Sequence, residues 1–139
     1  MRILFGIMIA MLSLAACTAP VPQANPEMAW IDLYNRPSQT LSAQRLDGDL
    51  VNDGRYFQVT PGKHELQMRY QYEDTRGGMS NSIGARIVTC ILRIRYDEFE
   101  ADKRYFVEAR PLAAKAQGYL YDSQRNLLAR AVVLRCGPF

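Results

Sequence analysis

The sequence predicts an all-β protein, an antiparallel β-sandwich of about seven to nine strands. Three observations predict it. From residue 28 onward, apolar residues recur with a period of two rather than 3.6. Turn signals punctuate the chain at short intervals: Asp47-Gly48, Asn52-Asp53-Gly54 and Pro61-Gly62. The aromatic residues concentrate in the alternating runs between those signals.

Each element follows from that pattern. Residues 29–34 and 41–46 read as the first two strands, and 55–59 as a third between two turns. The clearest run is 64–72. His64, Leu66, Met68, Tyr70 and Tyr72 share one face, and Glu65, Gln67, Arg69 and Gln71 share the other. That is the alternation of a half-buried antiparallel strand. A long strand over 83–96 places Val88, Cys90, Leu92, Ile94 and Tyr96 together; Ile87, Thr89 and Ile91 behind them predict cover on both sides. Residues 105–110 and 119–122 are shorter strands, and 122–126 is a hairpin turn into a last strand carrying Leu128, Val132, Leu134 and Cys136 on one face. Residues 97–104 are compatible with one helical turn, and 112–117 favour helix by propensity.

The N-terminal segment is of a different kind. Arg2 precedes an apolar stretch over 3–14, followed by Leu14-Ala15-Ala16-Cys17. The stretch is shorter than the roughly 20 residues a bilayer span needs, and suits the core of a secretory signal. Leu14-Ala15-Ala16-Cys17 resembles a bacterial lipobox. The resemblance implies removal of a signal peptide over 1–16 and acylation of Cys17, which would hold the protein in the lipid bilayer. Thr18, rather than Asp, implies the outer membrane, periplasmic face. Residues 17–27 carry Pro20, Pro22 and Pro26, so they read as an extended linker. The domain then occupies 28–139.

With Cys17 lipidated, Cys90 and Cys136 remain as an even pair. An oxidising compartment predicts a disulfide between them, with two buried free thiols as the alternative. Removing 1–16 takes away Arg2 alone and lowers the formal net charge from +3 to about +2. That is no nucleic-acid footprint, and the scattered arginines read as solvated strand faces.

A second resemblance is local. Leu46-Asp47-Gly48, then Tyr56-Phe57-x-Val59-x-Pro61-Gly62-x-His64-x-Leu66, is similar to PEGA-type modules, small envelope β-sandwiches. It implies an immunoglobulin-like or PEGA-like sandwich with a surface or scaffold role. The long strand and paired cysteines of the second half exceed that pattern. The chain also resembles uncharacterised proteobacterial outer-membrane lipoproteins, which bring no chemistry with them.

The chemistry-bearing residues point away from catalysis, so no catalytic residue, metal or cofactor is expected. His64 is the single histidine; it shares the apolar face with Leu66 and Met68 and reads as a ring packed behind the Pro-Gly turn and bonded to backbone there. Ser80 and Ser82 lie in a Gly-rich loop without nucleophile-elbow spacing. Asp97, Glu98, Glu100 and Asp102 lack the alternation of a calcium loop. Two thiols and one His supply no standard zinc set. Tyr70, Tyr72, Tyr119 and Tyr121 are either core or interface residues. The loop over 73–84 is the candidate binding loop, with Arg76, Met79 and Asn81 as its contact residues. The expectation is a non-enzymatic envelope lipoprotein that contacts a partner protein. Alternatives are an apolar ligand or lipid held between the sheets, and inhibition of an envelope-targeting enzyme.

Overall fold

The structure is a computed structural model and describes residues 17–75 and 86–137. Ten strands form two five-stranded sheets. They are β1 (Ala29–Tyr34), β2 (Gln39–Leu46), β3 (Asp49–Leu50), β4 (Tyr56–Val59), β5 (Gly62–Asp74), β6 (Arg86–Phe99), β7 (Arg104–Leu112), β8 (Lys115–Asp122), β9 (Leu127–Arg130) and β10 (Val132–Gly137). The first sheet runs β4-β1-β7-β8-β9 and the second β10-β6-β5-β2-β3. The all-β sandwich is therefore the fold.

The strand count exceeds seven to nine for two reasons. Asp47-Gly48 closes a two-residue hairpin between Leu46 and Asp49, which adds β3. Both turn residues have positive φ, 51° and 89°, which suits the right-handed twist of a tight hairpin. The expected last strand also divides. β9 pairs with β8 in the first sheet, and β10 pairs with β6 in the second. Ala131 is the corner, its N–H donating to Gly118 O at 2.8 Å.

Pairing is antiparallel except at one seam. β1 runs parallel to β7, with Trp30 opposite Arg104 and Tyr34 opposite Glu108. A parallel pair needs a long crossover. Here the crossover is the run of strands β2 to β6 between them, which alternation alone does not reveal.

Neither helical expectation is realised. Asp97, Glu98 and Phe99 continue β6, because Phe99 is buried in an edge-to-face cluster with Tyr96 and Tyr105. Residues 112–117 form the end of β7, a two-residue loop and the start of β8, with Leu112 opposite Lys115. Buried Ala116 and the Tyr72 hydroxyl, which donates to Ala113 O and Lys115 O at 3.0 and 2.7 Å, hold that hairpin. Helix propensity over six residues is too weak to oppose such contacts.

The core lies between the sheets. Ile31, Leu33, Phe57, Val59, Val107 and Leu120 of the first sheet meet Leu41, Leu66, Met68, Tyr70, Leu92 and Ile94 of the second. Thr89 and Ile91 are buried on the far side of β6, as the two-sided pattern predicts, whereas Ile87 is 57% exposed. Cys90 and Cys136 are directly opposed in the β6–β10 pair and form a disulfide across 46 residues of chain. In the chain-entropy picture, a loop of that length contributes about 4 kcal/mol.

Residues 17–25 are exposed and without regular structure. They lie along β4: Arg55 Nη1 donates to Ala19 O at 2.7 Å, and Asn25 N–H donates to Gln58 Oε1 at 3.1 Å. Cys17 is exposed at the start of this segment.

Candidate functional site

The inward residues of the first sheet are plain hydrocarbon for the most part; its outward residues are not. Read along the register, they form rows. One row runs Tyr56, Asp32, Phe106, Tyr121 across β4, β1, β7 and β8. The next runs Tyr34, Glu108, Tyr119, Arg130 across β1, β7, β8 and β9. A third begins Gln58, Trp30, Arg104.

The rings pack on one another. Trp30 and Tyr56 stack with centroids 4.2 Å apart, and Phe106 and Tyr121 stack at 5.3 Å. Five guanidiniums lie over these rings. Arg36 covers Tyr34, Arg104 covers Trp30, Arg125 covers Phe106, and Arg110 and Arg130 flank Tyr119, all within 5.8 Å of a centroid. Trp30 is only 3% exposed although it faces away from the core, because Tyr56 and Arg104 cover it. Its indole N–H donates to Asp32 Oδ1 at 2.7 Å.

Two carboxylates sit among the arginines. Arg104 Nε donates to Asp32 Oδ2 at 2.9 Å. Glu108 accepts from both Arg36 and Arg110 and has a side chain only 7% exposed. Burial pushes the Glu108 pKa up, but the flanking Arg110 and Arg36 outweigh it and hold the group below the usual carboxylate range. Arg125 and Arg130 have no carboxylate partner among the described residues.

Between these groups the surface is concave. Asp32, Leu33, Tyr34, Arg36, Phe106, Glu108 and Arg125 line a cleft of about 330 Å³. Arg125 forms one wall by way of an unusual backbone. Its φ is 68°, a left-handed conformation that costs a non-glycine residue about 1 kcal/mol or more. Asp122 holds it there. The Asp122 carboxylate accepts from the backbone N–H groups of Gln124 and Asn126, both at 2.9 Å, and from Asn126 Nδ2 at 3.0 Å. The Asn126 bonds keep the Asp122 pKa below its ordinary value, so this turn is anchored by an ionised carboxylate.

The face was hidden in the sequence by parity. Trp30, Asp32 and Tyr34 occupy the positions opposite Ile31 and Leu33, and aromatics on both parities read simply as core. The signal available was the outward repetition of ring and charge in β1, β7 and β8. Of the four tyrosines weighed as interface residues, Tyr119 and Tyr121 lie on this face. Tyr70 and Tyr72 are core residues; burial and the neighbouring Tyr72 push the Tyr70 pKa up to about 12. Arg76, Met79 and Asn81, together with Ser80 and Ser82, lie outside the described residues.

His64 occupies a separate position, half-buried between two turns. Its Nδ1 is 2.6 Å from Asp47 Oδ2, and its Nε2 is 2.7 Å from Thr60 O and 3.0 Å from Thr60 Oγ1. Asp47 Oδ1 also accepts the Glu65 N–H at 2.8 Å. Burial raises the Asp47 pKa, but the Glu65 N–H and the His64 ring outweigh it, and the net shift is downward. An Asp-His-hydroxyl order resembles a hydrolytic relay. The nearer partner of Nε2 is a backbone carbonyl, however, so both ring nitrogens are tied to the two turns. The arrangement fastens the Asp47-Gly48 hairpin to the Pro61-Gly62 turn. Among the described residues no three His, Cys, Asp or Glu side chains converge as a metal set.

Comparison of the chain with protein-family models, with curated proteins and with solved structures finds no match in any of the three.

Proposed function

We propose that this is a non-enzymatic, lipid-anchored envelope protein whose sandwich serves as a docking module for a partner protein. The observation that carries the reading is the outer face of the first sheet. Aromatic rings and arginines are the residue types enriched at protein interfaces, and here they are packed into one pre-ordered surface. Rings locked by stacking and guanidiniums locked over rings lose little further entropy on binding. A disulfide across β6 and β10 stiffens the opposite sheet and so the platform.

The anchor belongs to the same proposal. An exposed Cys17 at the head of a segment without regular structure is accessible to acylation. Two or more acyl chains suffice for stable attachment to a bilayer. On the periplasmic face of the outer membrane, such a protein would present its domain to other envelope components.

Crosslinking in whole cells with a photoreactive residue at position 121, followed by recovery of the tagged protein, tests the docking role. One envelope protein enriched at position 121, and not at position 69 on the other sheet, is the expected result. Equal recovery at both positions would count against a specific surface. Metabolic labelling with a palmitate analogue tests the anchor: label should enter the parent and be absent from Cys17→Ser.

A further inference from the structure

We propose that the cleft between Arg36 and Arg125 is a carboxylate-binding site, through which the outer face of the first sheet docks an acidic segment of its partner protein. This rests on the docking role proposed above and names the chemistry of the partner.

The face holds five guanidiniums, those of Arg36, Arg104, Arg110, Arg125 and Arg130, over its rings. Its two carboxylates are already engaged: Asp32 by Arg104, and Glu108 by Arg36 and Arg110. Among the described residues, Arg125 and Arg130 have rings beneath them and no carboxylate partner. A guanidinium stacked on a ring is desolvated on one side and fixed in plane, which suits it to a bidentate carboxylate.

Shape supplies the second argument. The cleft of about 330 Å³ is of ligand-site size, and Arg125 and Phe106 form one side of it. The Asp122-anchored turn imposes left-handed backbone on Arg125 and sets its guanidinium 4.9 Å from the Phe106 centroid. Asp32 and Glu108 also line the cleft, so an incoming carboxylate is directed toward the Arg125 side.

Trp30 is covered by Tyr56 and Arg104, and Phe106 by Tyr121 and Arg125, while Tyr34 at the cleft is 54% exposed. Position argues against the membrane as the acidic partner. The linker lies along β4, where Arg55 binds Ala19 O. Arg130 is on β9, four strand spacings or about 19 Å across the sheet, and Arg125 lies over Phe106 of β7, two spacings or about 10 Å from β4. Arg130 is thus at the edge away from the linker, and Arg125 is near the middle of the sheet.

The test is fluorescence anisotropy of a fluorescein-labelled nine-residue peptide with Glu at alternate positions and Ser between. The protein is prepared from the full chain in nonionic detergent. Expected is saturable binding that weakens as sodium chloride rises. Arg125→Gln with Arg130→Gln should weaken it at least tenfold, and Arg69→Gln, on the outer face of β5, less than twofold. Unchanged thermal midpoints show that the variants are folded. Arg125→Lys, which keeps the charge but loses the planar fork, should fall between parent and Arg125→Gln. The proposal is overturned if the double variant binds like the parent, or if Arg69→Gln loses as much. It is also overturned if phosphatidylglycerol vesicles bind through Arg125 and Arg130 while the peptide does not. Crosslinking separates the two readings. A partner captured equally by parent and double variant leaves the docking role standing and removes the cleft from it. Peptide binding lost in the double variant, with no partner captured by the parent, leaves the cleft chemistry standing and removes the docking role.

Discussion

Gly118 of β8 and Ala131, the corner between β9 and β10, touch so closely that a β-carbon at position 118 would lie 2.8 Å from the Ala131 β-carbon. Leu92 Cδ1 would be 3.3 Å away on the other side. The chain leaves one sheet for the other at Ala131, and it does so by passing directly over a residue with no side chain. The bond from Ala131 N–H to Gly118 O fixes the crossing. Neither neighbour yields easily, since Ala131 has only its backbone to move and Leu92 is fully buried.

Gly118→Ala is therefore expected to destabilise the domain by about 2 kcal/mol through overpacking, despite a backbone that alanine accepts elsewhere. Urea unfolding monitored by Trp30 fluorescence measures it. Wild-type stability in Gly118→Ala would mean that the corner is loosely packed.

The Cys90–Cys136 bond joins β10, an edge strand, to the interior strand β6. Reduction is expected to lower stability by about 4 kcal/mol at most, the loop-entropy value. Denaturant midpoints with and without dithiothreitol give the number. Cys90→Ala/Cys136→Ala should match the reduced parent to within the cavity cost of the lost sulfurs.

Asp47 links stability to pH. Its folded pKa lies below the ordinary 3.8, with the Glu65 N–H and the His64 ring outweighing burial. A lowered folded value means that the carboxylate adds stability above the unfolded pKa and loses it as pH falls through the folded one. The stability gap between parent and Asp47→Asn should be full at pH 6 and shrink below about pH 4. A gap that is constant from pH 6 to pH 3 would show that the ionised form of Asp47 is not what the hairpin uses.

Glu108 is the acid on which two arginines of the outer face converge. Glu108→Gln should cost about 2 kcal/mol, the scale of charge-assisted bonds at a buried acceptor. It should also leave Arg36 and Arg110 without a counter-charge, so that the acidic peptide binds more tightly even as the fold weakens. Thermal melts and anisotropy on one preparation read both effects.

Much of the architecture was legible in residue order because a half-buried strand must alternate, and turns need particular residues. The strand over 64–72, the inward set Val88, Cys90, Leu92, Ile94 and the Asp47-Gly48 turn all follow from such local rules. The cysteine pairing followed from parity of count. The site was less legible. Tyr119 and Tyr121 were recognisable as interface material, but their partners Trp30, Phe106, Arg36, Arg104, Arg125 and Arg130 come from five other strands and turns. No spacing along the chain links Arg125 to Phe106.

What the sequence by itself determined is the alternating sandwich, the paired sulfurs and the expectation of an acylated Cys17, since each rests on periodicity, composition or a short contiguous motif. What only the tertiary structure decided is which strands are neighbours: the parallel β1–β7 seam, the crossing at Ala131 and the rows of rings under guanidiniums. Those depend on contacts between residues as far apart as Trp30 and Arg104. Such contacts are chosen by how two sheets twist and bury one core together, a global condition that no local stretch of chain encodes.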